Sequence, residues 1–351
     1  MQVKLVIPIR IPFTMSDGDQ VWEKWLSSIK QLPRINSKIQ SQYLISDFSP
    51  KFQIEKKISE KEKAKFYGLY QNQGWMKRWT DASAYLVSKM DLPFKPISEL
   101  KKLLAAGNFN HDSPSVCREV SLRRVSHLFK DLIFDLSVTS NIASVGALRF
   151  DDGALFCRGH SFPVTSVTSQ CDGLIDYSIS NSWPPIRTAN LQEVFDWYRS
   201  LSGTINGHSD SPASRAACAF SYLFHPDVAR RAMMDLIWSL AGIEALLGEA
   251  DQSRRLITDK LLLLFPSGQT NDAPLRKLVR ELYDFRSRML HGNRNISARR
   301  IEYSDDDLTH KKYVLEEEEA TDFAILLLSQ LLLHCYRTGL REIKTNLVLA
   351  Q

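Results

Sequence analysis

The sequence predicts an α+β protein in which a mixed α/β N-terminal domain is followed by an all-helical bundle. Strand-like and helix-like patterns alternate over residues 1–185, whereas apolar residues recur at helical spacing throughout residues 186–351. A chain of 351 residues also has room for two domains, each with a core of its own. The boundary is placed at residues 181–186, where two consecutive prolines disfavour both helices and central strands.

The N-terminal domain is predicted to contain strands and helices in alternation. Residues 3–11 and 42–45 are strand-like, because β-branched and other apolar side chains dominate them. Apolar residues that recur at spacings of three and four predict helices around residues 21–29 and 125–136.

A β-hairpin is predicted farther along the same domain. Two apolar runs, residues 146–150 and 154–157, flank the short glycine-containing segment 151–153, which is typical of a tight turn. A further strand is predicted at residues 174–179.

The C-terminal domain is predicted to be helical throughout. The helix that carries Arg286 is followed by a glycine, which favours the end of a helix. The last helix begins with a run of glutamates, and negative charge at the start of a helix interacts favourably with the helix macrodipole. The predicted helices cover residues 191–201, 213–224, 227–247, 254–265 and 274–291, and a last helix begins at residue 316 and ends between residues 337 and 344. A polar loop is expected over residues 293–312.

The composition is that of an ordinary globular protein, with 44% hydrophobic and 24% charged residues. The 5 cysteines include no Cys-x-x-Cys pair, which indicates a reducing, cytoplasmic environment. The N-terminal apolar stretch contains two prolines and an arginine, so it resembles a strand more than a signal peptide. The longest apolar run, residues 324–333, is far shorter than the roughly 20 residues of a membrane span, so no membrane partner is expected.

Two charged residues are surrounded in sequence by apolar residues at helical spacing. Arg286 has leucine, tyrosine and methionine three and four positions away on either side, and Glu244 lies on a helix rich in leucine, isoleucine and alanine. Because charged side chains are seldom buried without a partner, we expect the two helices to pack together and Glu244 to support Arg286.

Arg286 and His291 form a pair with the chemistry of RNA strand scission. A guanidinium holds a phosphate through two oxygens and keeps its charge, and an imidazole can move a proton near neutral pH. The ribose 2′-hydroxyl supplies the nucleophile, so no metal or cofactor is expected. The alternative is that both side chains only satisfy the last carbonyls and the dipole of the helix.

The pair lies in the most basic stretch of the chain. Residues 276–300 contain eight basic and two acidic residues, a net charge of +6, whereas the whole chain carries only +5. Such a local positive charge suits a polyanion, although a solvated helix face would have the same composition. The arginines expected to bind RNA are Arg280, Arg288, Arg294, Arg299 and Arg300.

Two segments resemble the Apea-like family of HEPN domains. Residues 235–248, DLIWSLAGIEALLG, resemble the helix that carries the family's acidic residue, and residues 282–292, LYDFRSRMLHG, resemble its Arg-x4-His helix. The resemblance covers about 150 residues, from about residue 191 to residue 343, and none of the first 185.

The resemblance implies an all-α HEPN-type bundle that forms a homodimer, with two copies of the arginine and histidine around one composite site. It implies an endoribonuclease that cuts tRNA or other cellular RNA as a toxin or antiviral effector. Arg286 would bind the scissile phosphate, His291 would act as acid or base, and Glu244 would orient the arginine. Ser287 follows the arginine where active members often have asparagine, aspartate or histidine, which puts catalytic competence in question.

Three functions therefore stay open. The first is a metal-independent endoribonuclease whose N-terminal domain senses a trigger, with a phage-derived molecule or an antitoxin as its regulator. The second is a non-catalytic module that binds RNA or another partner. The third is a ligand sensor that dimerises through its helical bundle.

Overall fold

A computed structural model of the chain describes residues 2–10, 18–36, 38, 48–70, 82–93, 114–157, 160–164, 171, 174–181, 183–201, 209–224, 232–248, 254–266, 272–291 and 308–343. It contains an antiparallel sheet together with many helices, so the predicted α+β class is confirmed. The predicted strand at residues 42–45 lies outside the described residues.

The first half of the chain is built on a six-stranded antiparallel sheet. Its strands are β1 (Gln2–Arg10), β2 (Gln53–Glu55), β3 (Ala84–Asp91), β4 (Arg149–Phe150), β5 (Gly153–Cys157) and β6 (His160–Val164). They are ordered β2-β3-β1-β5-β6, and β4 also pairs with β1. The predicted N-terminal strand is confirmed as β1, which lies at the centre because both of its faces are apolar over much of its length.

The predicted hairpin around residues 151–153 is wrong. β4 and β5 do not pair with each other, because both run antiparallel to β1 along the same edge. Ile9 lies opposite Phe150, whereas Val6 lies opposite Ala154, so residues 151–153 face only two residues of β1. The segment is therefore a β-bulge within one strand. Asp-Asp-Gly therefore marks an irregularity of the backbone, as predicted, but this irregularity is a bulge and not a turn. The hairpin of β5 is formed with β6.

The helices of the described residues are α1 (Gly18–Gln31), α2 (Glu60–Tyr70), α3 (Pro114–Ala143), α4 (Leu174–Asn181), α5 (Leu191–Ser200), α6 (Pro212–Ser221), α7 (Ala232–Leu247), α8 (Arg254–Leu264), α9 (Ala273–Leu290) and α10 (Leu308–Thr338). The predicted helices match α1 and α5 through α9 within a few residues at their ends, wherever the structure describes them. The helix predicted at residues 125–136 is the middle of α3, which extends farther at both ends.

Two elements differ from the prediction. The segment 174–179 belongs to helix α4, because Leu174, Ile175 and Ser178 are buried together at helical spacing and α4 packs against α10. Helix α10 begins at Leu308, eight residues before the predicted start, and so takes in the end of the predicted loop. No glycine or proline precedes the acidic run in that segment, so nothing local stops the helix there.

One hydrophobic core extends across the predicted domain boundary. It combines one face of the sheet, helices α1 and α3, and the helices from α4 to α10. Polar contacts cross the same boundary: the Ser329 hydroxyl donates to the Asn141 carbonyl at 2.9 Å, and the Leu191 N–H donates to Gln31 Oε1 at 2.6 Å. The change at residues 181–186 is therefore a change of secondary structure within a continuous core.

The boundary segment is itself anchored in that core. Trp183 is 2% exposed, and its indole N–H donates to the Phe265 carbonyl at 2.7 Å. Its ring also packs against Phe265 and Phe323. Helix α10 lies at the centre of this half, since Phe323 and most residues from 324 to 333 are fully buried.

Candidate functional site

Helices α7 and α9 position the two charged residues that the sequence singles out. Helix α7 packs against α6 and α10 through a buried face that includes Leu240, Ile243 and Leu247. Glu244 lies between these buried positions and the surface and is half-buried. On α9, Leu282 and Tyr283 are buried one turn before Arg286, so the arginine emerges from the apolar side of its helix.

Arg286 and Glu244 form an ion pair, as the sequence predicts, although the main packing partners of α9 are α8 and α10 and not α7. The Nη2 atom of Arg286 lies 3.2 Å from Oε2 of Glu244, and this contact joins α9 to α7. The two side chains keep 37% and 33% of their surface exposed, respectively. The carboxylate therefore restrains the guanidinium, and the exposed part of the guanidinium stays available to an anion.

Tyr283 contributes a buried hydroxyl next to this ion pair. The sequence pattern marks this residue only as one of the apolar neighbours of Arg286. The residue is 5% exposed, and its hydroxyl has no hydrogen-bond partner among the described residues. Burial raises the pKa of Tyr283, the nearby Glu244 carboxylate raises it further, and Arg286 lowers it. The sequence contains one sign of this hydroxyl, namely a tyrosine at an apolar position of the helix. A buried tyrosine hydroxyl normally has a hydrogen-bond partner, so such a position predicts a polar contact.

His291 is exposed at the end of α9. Its backbone N–H donates to the Ser287 carbonyl at 3.0 Å, so the helical hydrogen-bond pattern continues to the histidine. Five residues of α-helix rise about 7.5 Å and rotate by about 140° beyond one full turn. One copy of α9 therefore presents Arg286 and His291 at different angles. Ser287 is half-buried, and it faces His291 one turn away.

The structure does not group the predicted RNA-binding arginines with Arg286. Arg280 and Arg288 are both exposed and lie eight residues apart on α9. Arg288 is rotated about 200° from Arg286 around the helix axis, and it lines a groove with α10 instead. It lies three residues from His291, however, on a shared face of the helix. Arg294, Arg299 and Arg300 lie outside the described residues.

The described residues form neither a metal-binding cluster nor a membrane-spanning helix. Within them, no group of three or more histidine, cysteine, aspartate or glutamate residues is arranged to hold a metal ion. None of the described helices combines the length and apolar character needed to span a bilayer.

Comparisons with family models, with curated proteins and with solved structures return no match to this chain. The resemblance to Apea-like HEPN domains accordingly remains a prediction from the two helical segments that carry Glu244 and Arg286. What the structure adds is the contact between those two residues.

Proposed function

We propose that this protein is a metal-independent endoribonuclease of the HEPN type, acting on tRNA or another cellular RNA in the cytoplasm. The observation that supports it best is the ion pair: Glu244 holds Arg286 at 3.2 Å while 37% of the arginine side chain stays exposed. The same helix ends at an exposed histidine, His291. An anchored guanidinium and an accessible imidazole are the two groups that scission of an RNA strand requires.

The proposed reaction uses the RNA's own 2′-hydroxyl. A base removes its proton, the oxygen attacks the adjacent phosphorus, and the bond from phosphorus to the 5′-oxygen breaks as that oxygen takes up a proton. The products are a 2′,3′-cyclic phosphate and a 5′-hydroxyl. His291 moves a proton in this reaction, Arg286 stabilises the charge on the phosphoryl oxygens, and Glu244 orients Arg286.

The angular separation of Arg286 and His291 favours a composite site in a homodimer. Because the two side chains leave one helix about 140° apart, a second copy of α9 can bring its histidine to the first copy's arginine. The basic residues Arg280 and Arg288 would then bind flanking phosphates. In the cell, such an enzyme would act as a toxin or antiphage effector under the control of a regulator, either phage-derived or an antitoxin.

The test is cleavage of labelled tRNA and total RNA in EDTA. We expect R286A and H291A each to reduce cutting by roughly 100-fold or more, the size typical of losing a charge-stabilising group or an acid–base group. Lys277→Ala is the matched control, because Lys277 is an exposed base of the same helix that pairs with Glu281. Equal cutting by wild type, R286A and H291A would remove the assignment.

A mixed-dimer experiment tests the composite site. Heterodimers of R286A and H291A retain one arginine and one histidine on opposite copies, so they should recover part of the wild-type rate. Recovery in the mixture, with none in either variant alone, supports a shared site. Absence of recovery in heterodimers confirmed by mass spectrometry would contradict it.

A non-catalytic RNA-binding module is the second candidate. It is favoured by the exposure of Arg280 and Arg288, which lie apart from the ion pair and can bind phosphates without it. This function predicts RNA binding that weakens with salt and survives H291A, with no cleavage by any preparation.

A further inference from the structure

Two aromatic side chains form an exposed stack on the helical half of the molecule. Tyr222 directly follows α6, and Trp238 lies on α7. Their ring planes are nearly parallel, at an angle of 6°, and the ring centroids are 4.1 Å apart. Trp238 is half-buried, whereas Tyr222 is 43% exposed. Because the indole covers one face of the tyrosine ring, the exposed area of that ring lies on its opposite face and its edge.

The Tyr222–Trp238 stack shares helix α7 with Glu244. Trp238 precedes Glu244 by six residues, which is about 9 Å along the helix axis. Ala241 lies three residues from each of them and is exposed. Residues three apart are neighbours on a helix surface, so only a methyl group occupies the position between the stack and the ion pair on α7.

An unpaired cation lies on the same side of α6 as Tyr222. Arg215 is exposed and precedes Tyr222 by seven residues, or about two helical turns. Tyr222 keeps helical backbone angles, with φ of −62° and ψ of −23°, so the two side chains leave the same side of the helix. Within the described residues, the Arg215 guanidinium has no ion-pair partner.

We propose that Tyr222, held in place by Trp238, is a stacking site for an unpaired nucleobase, and that Arg215 binds a phosphate of the same strand. The choice of RNA as the ligand rests on the proposed function, in which Arg286 binds the scissile phosphate. A strand that leaves Arg286 would pass over Ala241 to Tyr222, so the stacked base lies to one side of the cleaved linkage. Binding at Tyr222 itself needs no cleavage.

The geometry and the charge favour a nucleobase over other ligands. Bases of single-stranded nucleic acids stack on exposed aromatic side chains, and this needs the open ring face that Tyr222 offers. Packing on a half-buried tryptophan restrains Tyr222 in advance, which reduces the entropy lost when a base stacks on it. An unpaired arginine on the same side favours an anionic strand over a neutral aromatic molecule or the apolar face of another protein.

A second exposed aromatic pair provides a matched control. Trp22 on α1 is 44% exposed, and its ring centroid lies 5.1 Å from that of the buried Trp25. It is followed by an exposed acid, Glu23, and its helix carries neither Glu244 nor Arg286. Trp22→Ala therefore matches Tyr222→Ala in exposure and in the loss of a stacked ring, but it should not affect RNA binding.

Fluorescence anisotropy of a labelled, single-stranded 2′-O-methyl oligonucleotide of about ten nucleotides tests the site in the full-length protein. The methyl group blocks the attacking hydroxyl, so the probe binds without being cut. We expect Y222A to weaken binding by roughly 5- to 100-fold, the range for loss of base stacking on one aromatic side chain. Y222F should stay within about two-fold of the wild type, because it keeps the ring, and W22A should leave the affinity unchanged.

The salt dependence of binding tests Arg215. R215Q should reduce the slope of log affinity against log salt concentration by about 0.7, the contribution of one phosphate contact on a single strand. Lys30→Gln is the control, because Lys30 is an exposed base of α1, and it should leave the slope unchanged. An unchanged slope in R215Q would show that this arginine binds no phosphate.

Y222L separates stacking from burial of apolar area, because leucine is apolar but has no ring. Wild-type affinity in Y222L or Y222A would overturn the proposal, provided that urea unfolding of the variant is normal. So would an equal loss in Y222A for a fully paired duplex, in which both faces of each base are already stacked. Failure of the wild type to bind the probe at about 100 µM protein would overturn it as well.

The experiments also separate this site from two other outcomes. Loss of self-association in Y222A without any change in RNA affinity would assign the stack to a protein interface and overturn the proposal. Unchanged cleavage by R286A and H291A would remove the nuclease assignment but would leave a binding defect of Y222A standing. Failure of the stacking site and failure of the proposed function are therefore distinguishable.

Discussion

Arg286 Nη2 lies 3.2 Å from Glu244 Oε2, so one ion pair connects the surface of α7 with the surface of α9. This contact brings together residues that are 42 positions apart in sequence. The ion pair lies near the buried Tyr283 hydroxyl, which interacts electrostatically with both of its members.

A double-mutant cycle measures the coupling between Glu244 and Arg286. Because each side chain is about a third exposed, we expect E244Q and R286Q to couple by about 0.5–1 kcal/mol in the free energy of unfolding. The measurement is urea unfolding of the wild type, both single variants and the double variant. The more exposed Lys277–Glu281 pair serves as the control and should couple by about 0.3–0.5 kcal/mol. Strictly additive effects of E244Q and R286Q would contradict the ion pair.

Asp322 makes the stability depend on pH. Its folded-state pKa is raised to about 7, above the value of about 4 in an unfolded chain. The folded protein therefore binds this proton more tightly, and the stabilisation is lost as pH rises from about 4 to about 7. We expect D322N to raise the free energy of unfolding by about 1–2 kcal/mol at pH 8, after allowance for partial exposure.

The gain from D322N should largely disappear near pH 4, where the wild-type carboxyl group is protonated in the folded state and about half protonated in the unfolded state. Urea unfolding at pH 4 and pH 8 gives the comparison, and E281Q provides a control with an exposed acid. A gain of the same size at both pH values would show that burial of this carboxylate is not its cause.

Gly153 closes the β-bulge and leaves no room for a side chain. A Cβ atom there would lie 2.1 Å from Ile7 Cδ1 and 2.8 Å from the Val6 carbonyl oxygen. We expect G153A to destabilise the protein by about 2–3 kcal/mol, because backbone as well as side chain must move. Gly339 is the comparison, since it has φ of +67° with no atom near its Cβ position, and G339A should cost only about 1–2 kcal/mol. A smaller loss in G153A than in G339A would refute the steric argument.

Trp183 ties the boundary segment to the helical half. Trp183→Phe keeps an aromatic ring in place but leaves the buried Phe265 carbonyl without its indole donor. We expect a loss of about 1–3 kcal/mol in the free energy of unfolding. Trp22 is 44% exposed, so Trp22→Phe should change the stability by less than about 0.5 kcal/mol. Equal effects of the two substitutions would show that the buried hydrogen bond contributes little.

The sequence predicts the parts of this fold that depend on periodic burial. The spacing of apolar residues predicts helices α1, α3 and α9 and strand β1 directly. The α+β fold class follows from these elements. The contact between Glu244 and Arg286 is predictable for a related reason. A charged residue at an apolar position needs a partner, and the sequence offers one of opposite sign on a second apolar helix.

The errors come from local signals that tertiary structure reinterprets. Asp-Asp-Gly favours both a turn and a bulge, and only the pairing of both flanking segments with β1 decides between them. Residues 174–179 are short enough to fit a strand or a helix, and packing on α10 selects the helix. The groove between α9 and α10 is invisible in sequence, because only the fold brings these two helices together with Tyr177 of α4.

The continuous core has a thermodynamic consequence. Since one face of the sheet and the helices bury their apolar residues in one cluster, we expect the two halves to unfold together. Differential scanning calorimetry should record a single endotherm. A ligand that binds the folded sheet should therefore also raise the unfolding temperature of the helices that carry Arg286 and His291. A change in packing on the core face of the sheet therefore alters the free energy of unfolding of the helices as well.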